Sequence, residues 1–380
     1  MRIFVLDITS RNADQYNPQL CNKLVEYAPL GSDVTLLANL LTTKKKSFKF
    51  LKLLDLVPHK FKASKSKLKR AIRLIEVSIN YIFILLYCTI KRPDILHLQW
   101  LTLIDICYAE KYILGLLKSL SPKTKVYLTI HNIFPHDLPI SKRKAYKDKF
   151  SKIAANIDGF LVHLNSAKEE AANTLNLPKE RIFVAYHGIY IRNSMNASNE
   201  RPVDRFNIIM YGIQNRYKGT DILMESLKLL PPKYFEKIVV NIVGKTDPTI
   251  YKQYQDMIDN VHVKWNNSYV SNEFLDQSIN DSDLIVLPYR KISQSGVLLL
   301  ALSCNKLILT SNLPSFIETL DGYKKEWFFE KENPKSLSDK IIDYLDGRIL
   351  ADEQLLVINN LSSKYSWDNT AKATLIAYNN

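Results

Sequence analysis

The chain has 380 residues, 46% apolar and 24% charged, enough for two domains of ordinary size and too apolar for a disordered or fibrous protein. Its four cysteines (Cys21, Cys88, Cys107, Cys304) form no CxxC pair and no zinc-like spacing with histidine, and MRIFVLDI at the start is not a secretory signal; a reducing cytoplasm fits both. The net charge of +14 is one-sided. Residues 1–200 hold 31 Lys and Arg against 16 Asp and Glu, and the remainder holds 21 against 22. Such a field suits an anionic partner (phospholipid, nucleic acid or a phosphorylated substrate), although lysine-rich genomic drift produces the same excess.

In chain order, residues 1–8 read as a strand, 18–29 as a helix and 34–39 as a second strand. The intervening DITSRNADQYNPQ is a polar loop at the carboxyl end of the first strand, where open α/β sheets bind ligands. It contains no glycine, which excludes a dinucleotide fingerprint. From His59 to Arg73 the chain carries seven basic residues (Lys60, Lys62, Lys65, Lys67, Lys69, Arg70, Arg73) and no acid, and then enters the apolar LIEVSINYIFILLYCTI, 74–90. That run, interrupted by Glu76 and Asn80, is too short for a spanning helix of about 20 residues. A basic approach followed by an amphipathic helix suits an anionic bilayer surface, and it equally suits a core helix with a solvated lysine-rich lead-in.

Strands at 93–100, 125–131, 158–165 and 181–188 alternate with helices at 104–119, 141–156 and 167–176, the pattern of a parallel doubly wound sheet. Three of these strands end in chemistry: His97, Gln99 and Trp100; His131, opening HNIFPH with Asn132 and His136; and His187-Gly188. NSMNASNERPVD, 193–204, reads as a linker, after which strands and helices alternate again. The expected organisation is a first domain over 1–192 and a second over 205–355. A terminal helical segment, 356–380, packs back toward the first, and a cleft lies between two Rossmann-like halves.

In the second half, LIVLPYRKISQSGVLLLALSCNKLILT (284–310) reads as a buried strand, a loop through Tyr289 and Ser293, a helix start at Ser295-Gly296-Val297 and a second strand. Unpaired N–H groups and the dipole at such a helix start form a ready phosphate site, or merely the entry to a core helix.

Two Rossmann-like halves, GIQNRYKGTDILMESL (212–227), LPYRKISQSGVLLLAL (287–302), IHNIFPH (130–136), YHGIY (186–190) and a last helix opening YSWDNTA together resemble the GT-B glycosyltransferases. Within these, they are similar to the retaining family-4 enzymes of bacterial surface polysaccharide synthesis, in the subgroup with a YR…SG loop. The resemblance implies a cytoplasmic enzyme, peripheral to the inner face of the cell membrane. It would move a hexose from a nucleotide diphosphate sugar to a lipid-linked or polysaccharide acceptor, with no metal or other cofactor.

It assigns the donor diphosphate to Arg216, Lys218, Gly219, Ser295, Gly296 and Val297, with Gly212, Tyr289 and Ser293 in the donor loop. His131 becomes the catalytic group, acting on the transferred sugar by hydrogen bonding. Tyr16, Asn17, Gln99, Trp100, Asn132, His136, His187 and Gly188 become candidates for the acceptor side. The need for cations and N–H donors at a departing diphosphate supports these assignments. Two departures stand out: Ser293 and Ala301 occupy the positions of a Glu pair usual in family 4, and Asn215 stands where the subgroup places an arginine. A non-catalytic nucleotide-sugar binder of the same fold is therefore the alternative. A nucleic-acid binder is disfavoured, because the basic runs lack regularly interleaved aromatics.

Overall fold

A computed structural model describes residues 1–9, 16–43, 46–56, 67–135, 138–190 and 205–380. Most of the loop after the first strand, Lys60, Lys62 and Lys65, the side chains of Lys67, Lys69 and Arg70, His136 and the 193–204 segment lie outside the described residues. The chain divides into two units, one of Met1–Gly188 with Ser366–Asn380 and the other of Ile189–Tyr365.

Unit 1 contains strands β1 (Arg2–Asp7), β2 (Asp33–Ala38), β3 (Lys49–Lys52), β4 (Ile95–Leu98), β5 (Lys125–Thr129), β6 (Gly159–Val162) and β7 (Ile182–Val184). Its helices are α1 (Tyr16–Tyr27), α2 (Lys67–Lys91), α3 (Ala109–Leu120), α4 (Arg143–Ala154), α5 (Asn165–Leu175) and the chain's last, α14 (Trp367–Asn379). The strands form one parallel sheet in the order β3-β2-β1-β4-β5-β6-β7. Strand segments such as IFVL in β1 and FLV in β6 are continuously apolar because both faces are covered. One face packs under α2–α5 and the other under α1 and α14.

Unit 2 contains β8 (Phe206–Tyr211), α6 (Thr220–Lys228), α7 (Pro232–Phe235), β9 (Ile238–Val243), α8 (Pro248–Tyr254), β10 (Val263–Asn266) and α9 (Asn272–Asn280). There follow β11 (Leu284–Leu287), α10 (Gly296–Ser303), β12 (Leu307–Ser311), α11 (Pro314–Thr319), β13 (Phe328–Phe329), α12 (Pro334–Leu345) and α13 (Ala351–Lys364). Its parallel sheet runs β10-β9-β8-β11-β12-β13. The fold is thus two doubly wound α/β units. In each, the strand order reverses next to the unit's first strand, between β1 and β4 and between β8 and β11, and such a switch point opens a crevice at the carboxyl ends.

Two local differences from the sequence reading have physical causes. The terminal segment is not one helix: the chain breaks at Tyr365, and Ser366 caps α14 by accepting from Asn369 N–H at 3.2 Å. Second, α2 is longer than its apolar run, and Ala71–Lys91 alone is long and apolar enough to cross a membrane. Glu76 and Asn80 do not interrupt that surface, because both are buried. Glu76 accepts from Leu56 N–H (2.8 Å), and Asn80 both accepts from Leu54 N–H and donates to its carbonyl (2.9 Å each). Glu76 and Asn80 face inward to satisfy the segment after β3, and Ile75, Ile79, Ile82, Leu86 and Ile90 face out, each at least 45% exposed.

Candidate functional site

Unit 2 brings most of the expected diphosphate residues to its switch point. Gly212 follows β8 with φ of +94°, turning the chain into a 3-10 segment at Arg216–Lys218. Gly219, at φ +74°, starts α6, and a Cβ there would lie 1.9 Å from the Pro288 carbonyl oxygen, so only glycine lets the loops after β8 and β11 touch. Arg290 locks the same two loops together. Its guanidinium donates to both carboxylate oxygens of Asp221 (2.8 and 2.7 Å) and to the Arg216 carbonyl (2.8 Å), and it pairs with Glu332 at 3.2 Å. A bidentate pair of this kind fixes geometry as well as charge. Gln214 holds the loop from inside, donating to the Gly212 carbonyl and accepting from Thr220 Oγ1.

Within this frame the Lys218 side chain is buried, with 5% of its surface exposed. Its ammonium stands 2.7 Å from where a Cβ on Gly212 would be and 5.5 Å from the centre of the Tyr289 ring. Burial pulls its pKa down to about 8 from 10.5. Among the described residues no carboxylate pairs with it; the ring face of Tyr289 is its electrostatic neighbour. A buried cation without an acid is costly to the folded protein and is a mark of a site that receives an anion. Arg216, by contrast, has an exposed side chain, and its backbone rather than its guanidinium is built into the frame.

The helix start lies on the same frame. Ser295 is the N-cap of α10, its Oγ accepting from Leu298 N–H at 3.1 Å. Gly296 and Val297 form the first turn, where N–H groups precede any intrahelical partner. The Val297 carbonyl accepts from Tyr211 O–H (2.9 Å), and a Cβ on Gly296 would sit 2.7 Å from the hydroxyl of half-buried Tyr190. Ser293 is half-buried in the loop before the helix, and Ala301 is fully buried within it.

Unit 1 places its candidates at the carboxyl ends of β1, β4 and β5. A pocket of about 370 Å³ is lined there by Thr9, Trp100, Thr129, His131, Asn132 and Tyr146, among others. Trp100 stacks on His131, with ring centres 4.6 Å apart at 23°. Behind the pocket wall is a cluster that the sequence did not single out. His131 Nδ1 is 3.2 Å from Nε2 of His163, and His131 Nε2 is 3.0 Å from Oε1 of Gln99. Tyr16 packs against His131, His163, His187 and Trp367 at centroid distances of 4.9–5.4 Å.

His97 meets Tyr378 Oη and Thr129 Oγ1, each at 2.7 Å. Burial lowers His97 and His187 to about 3 and His163 to about 4, so all three are neutral at physiological pH. Several acceptor-side candidates are therefore interior. Gln99 and Asn17 are fully buried, the former between His97 and His131, the latter donating to Asp7 (2.8 Å). His187 Nδ1 donates to the Gly188 carbonyl, and Gly188 is a glycine because a Cβ would enter the Trp367 ring at 2.4 Å. Trp100, Asn132 and His131 remain at the pocket. Among the described residues no group of three or more His, Cys, Asp or Glu side chains is arranged to hold a metal.

Residues 192–355 match the sequence model of the family "Glycosyl transferases group 1". A curated relative, "Uncharacterized glycosyltransferase MJ1607" of Methanocaldococcus jannaschii, is 24% identical over 233 residues; the match covers 56% of this chain and 57% of the relative's length. Sucrose-phosphate synthase of Thermosynechococcus elongatus superposes with a TM-score of 0.71 at 13% identity, covering 100% of this chain and 98% of that one. Anabaena Alr3699/HepE, solved with UDP and glucose, superposes with a TM-score of 0.68 at 11% identity, covering 100% and 99%. The fold is that of the GT-B glycosyltransferases.

Proposed function

We infer that the protein is a glycosyltransferase that takes a hexose from a nucleoside diphosphate sugar, with retention, and passes it to a lipid-linked or polysaccharide acceptor. The observation that carries this reading is the buried, acid-free ammonium of Lys218 at the switch point of unit 2, on the same frame as the first turn of α10. A diphosphate supplies the missing counter-charge, and its developing charge on departure is met by the ammonium and the helix N–H groups without a metal. The relative solved with UDP and glucose is consistent with that donor class. His131, at the wall of the unit 1 pocket, hydrogen-bonds the transferred sugar, and Trp100 and Asn132 face the acceptor.

A labelled panel of UDP- and GDP-sugars, offered with lipid extract as acceptor, tests the reading. One donor is expected to turn over, equally well in chelator, and the His131→Ala variant is expected to lose about 100-fold in kcat. Turnover that stops in chelator rejects the metal-free mechanism, and full activity in the folded variant rejects the site. The fully buried Ala301, where family 4 usually carries a carboxylate, favours one second reading, a nucleotide-sugar binder without turnover. Donor binding with no product from any acceptor would establish it.

The acceptor's lipid fits the outward face of α2, extended by Tyr112, Leu116 and Leu120 of α3, with a basic α4 carrying Arg143, Lys144, Lys147, Lys149 and Lys152. An apolar stripe flanked by cations is the composition of a helix lying in an anionic interface, which supports a peripheral position on the cytoplasmic face of the membrane. In flotation assays, binding to anionic vesicles is expected to exceed binding to zwitterionic ones. The pair Ile82→Glu and Leu86→Glu is expected to weaken it at least tenfold while leaving nucleotide binding intact. Equal binding of wild type and variant removes α2 from the interface.

A further inference from the structure

The pocket beside Trp100 and His131 does not end at its own walls. A second cavity, of about 350 Å³, shares Ile104, Asp105, Pro135 and Tyr146 with it and runs on to Leu138, Pro139, Lys142 and Lys149. Together they make one groove between the loop after β4 and the start of α4, and its character changes along its length. The inner chamber, about 370 Å³, has the size of a small-molecule site. It offers the Asn132 amide, able to donate and to accept, beside the half-buried Trp100 ring. The outer chamber is walled by Ile104, Leu138, Pro139 and Tyr146, and holds two lysines against one aspartate. Lys149 fastens the wall, its ammonium donating to the carbonyls of Ile104, Asp105 and Ile106 at 3.1–3.4 Å. Lys142 is exposed at the chamber, and among the described residues no acid pairs with it. The residues next along the chain are apolar and open: Ile106 is 63% and Ile140 80% exposed. From there Tyr108, with Lys152 of α4 over its ring, leads to Tyr112 on the outward face of α3, ring centres 6.0 Å apart.

We propose that this groove seats a lipid-linked saccharide acceptor, with its sugar in the inner chamber, a phosphate at Lys142 and the lipid chain leaving over Ile106 and Ile140 toward the outward face of α3 and α2. The proposal rests on the transferase reading and deepens it, by making a phosphate the joint between the acceptor's sugar and its lipid. The order of surfaces along the groove argues for that chemistry. A free oligosaccharide would use the hydrogen-bonding chamber and leave the apolar walls and the lysine idle. A bilayer phospholipid would use the apolar edge and Lys142 and leave Asn132 and Trp100 unused. A molecule hydroxylated at one end, anionic in the middle and apolar at the other meets every part. A lone surface lysine is ordinary; this one stands between a polar chamber and an apolar edge. The local field agrees. Arg143, Lys144 and Lys147 line a separate cavity on α4, with Asp148 as that helix's one acid, and their charge adds to that of Lys142.

The test uses the full chain and farnesyl phosphate, a short isoprenyl phosphate, with farnesol, inorganic phosphate and dihexanoylphosphatidylglycerol as comparators. In calorimetric titrations farnesyl phosphate is expected to bind at least about tenfold more tightly than any comparator. Lys142→Glu and Ile140→Asp alter exposed side chains. Each is expected to weaken that binding about fivefold or more, with the nucleotide-induced melting shift unchanged. Farnesyl phosphate carrying a diazirine, photolysed on the protein, is expected to label residues 104–108 and 138–146. Labels confined to α2, or equal binding by wild type and the double variant, overturn the proposal. Phosphatidylglycerol binding as tightly as farnesyl phosphate also overturns it, and makes the groove a bilayer-phospholipid site. Absence of turnover with every donor would sink the transferase reading and leave the binding and labelling results standing. An active double variant with a wild-type KM for lipid-extract acceptor would sink the groove alone.

Discussion

Replacing Lys218 with methionine is expected to raise the melting temperature of the ligand-free protein and to abolish the stabilisation that a nucleoside diphosphate confers. Burial holds the Lys218 pKa at about 8 against an ordinary 10.5, so the unfolded chain binds this proton more tightly than the native protein does. Between those two values the unfolded state carries the extra proton, and native stability rises with pH. Below about pH 8 both states are protonated, and the buried charge costs the native state about 3 kcal/mol. Methionine fills nearly the same space without the charge, so most of that cost should disappear. A bound diphosphate has the opposite effect on the wild type. It supplies a counter-charge, raises the lysine pKa and binds less tightly as pH climbs past 8.

Removing one partner of such a buried pair costs about 2–5 kcal/mol of binding, or roughly 30-fold or more in affinity. Calorimetric melts with and without UDP and GDP, and titrations across that pH range, read all of this. Equal melting temperatures and an unchanged nucleotide shift in Lys218→Met would take Lys218 out of the donor site.

Ending the chain at Tyr365 is expected to unfold unit 1 while unit 2 remains intact. Helix α14 buries Trp367, Leu375 and Tyr378, and the Tyr127 hydroxyl donates to the Ala377 carbonyl at 2.8 Å. Large apolar side chains contribute about 1.5–3 kcal/mol each when buried. Their summed loss approaches the whole stability of a domain, about 5–15 kcal/mol. Two transitions are expected in the full-length protein if the units melt separately. Truncation should lower the unit 1 transition by at least about 10–20 °C or erase it, and leave the unit 2 transition and nucleotide binding in place. Tyr378→Phe removes only the hydroxyl on His97 and should cost about 1 kcal/mol. A truncated protein that melts as the full chain does would mean that α14 is dispensable to unit 1.

The parallel α/β fold was legible in the sequence because its strands are buried on both faces and punctuated at their carboxyl ends by Gly, His and Asn. Elements that carry little apolar signal were not. The edge strand β3 is the four residues KFLK, β13 is two phenylalanines, and α13 has a mixed surface with only Gln354, Ile358 and Leu361 buried. At the switch point of unit 2, the clustering of Lys218, Gly219 and Ser295-Gly296 could be anticipated because a cation and small residues follow strand ends. The role of Arg290 was not, since its partners Asp221 and Glu332 are 69 and 42 positions away in the sequence. His163 went unnoticed inside the apolar run DGFLVHLN, because its significance lies in two contacts, with Ala185 and His131, that only the sheet brings about. The inward polar face of α2 was misread for a related reason. Helical spacing shows which residues share a face and leaves open which face is covered.

The course of the chain through unit 1 has a consequence for biosynthesis. Unit 2 is one uninterrupted segment, Ile189–Tyr365, whereas unit 1 needs Ser366–Asn380 to cover α1 and to set Trp367 and Tyr378 beside the histidines. As the polypeptide leaves the ribosome, unit 2 can complete itself first. The earlier-made sheet of unit 1 must wait, with its Tyr16 side uncovered, for the stretch that emerges after all of unit 2. The loops around Lys218 are then finished before the histidine cluster, and a chaperone guarding the nascent chain would find its client surface on the older half.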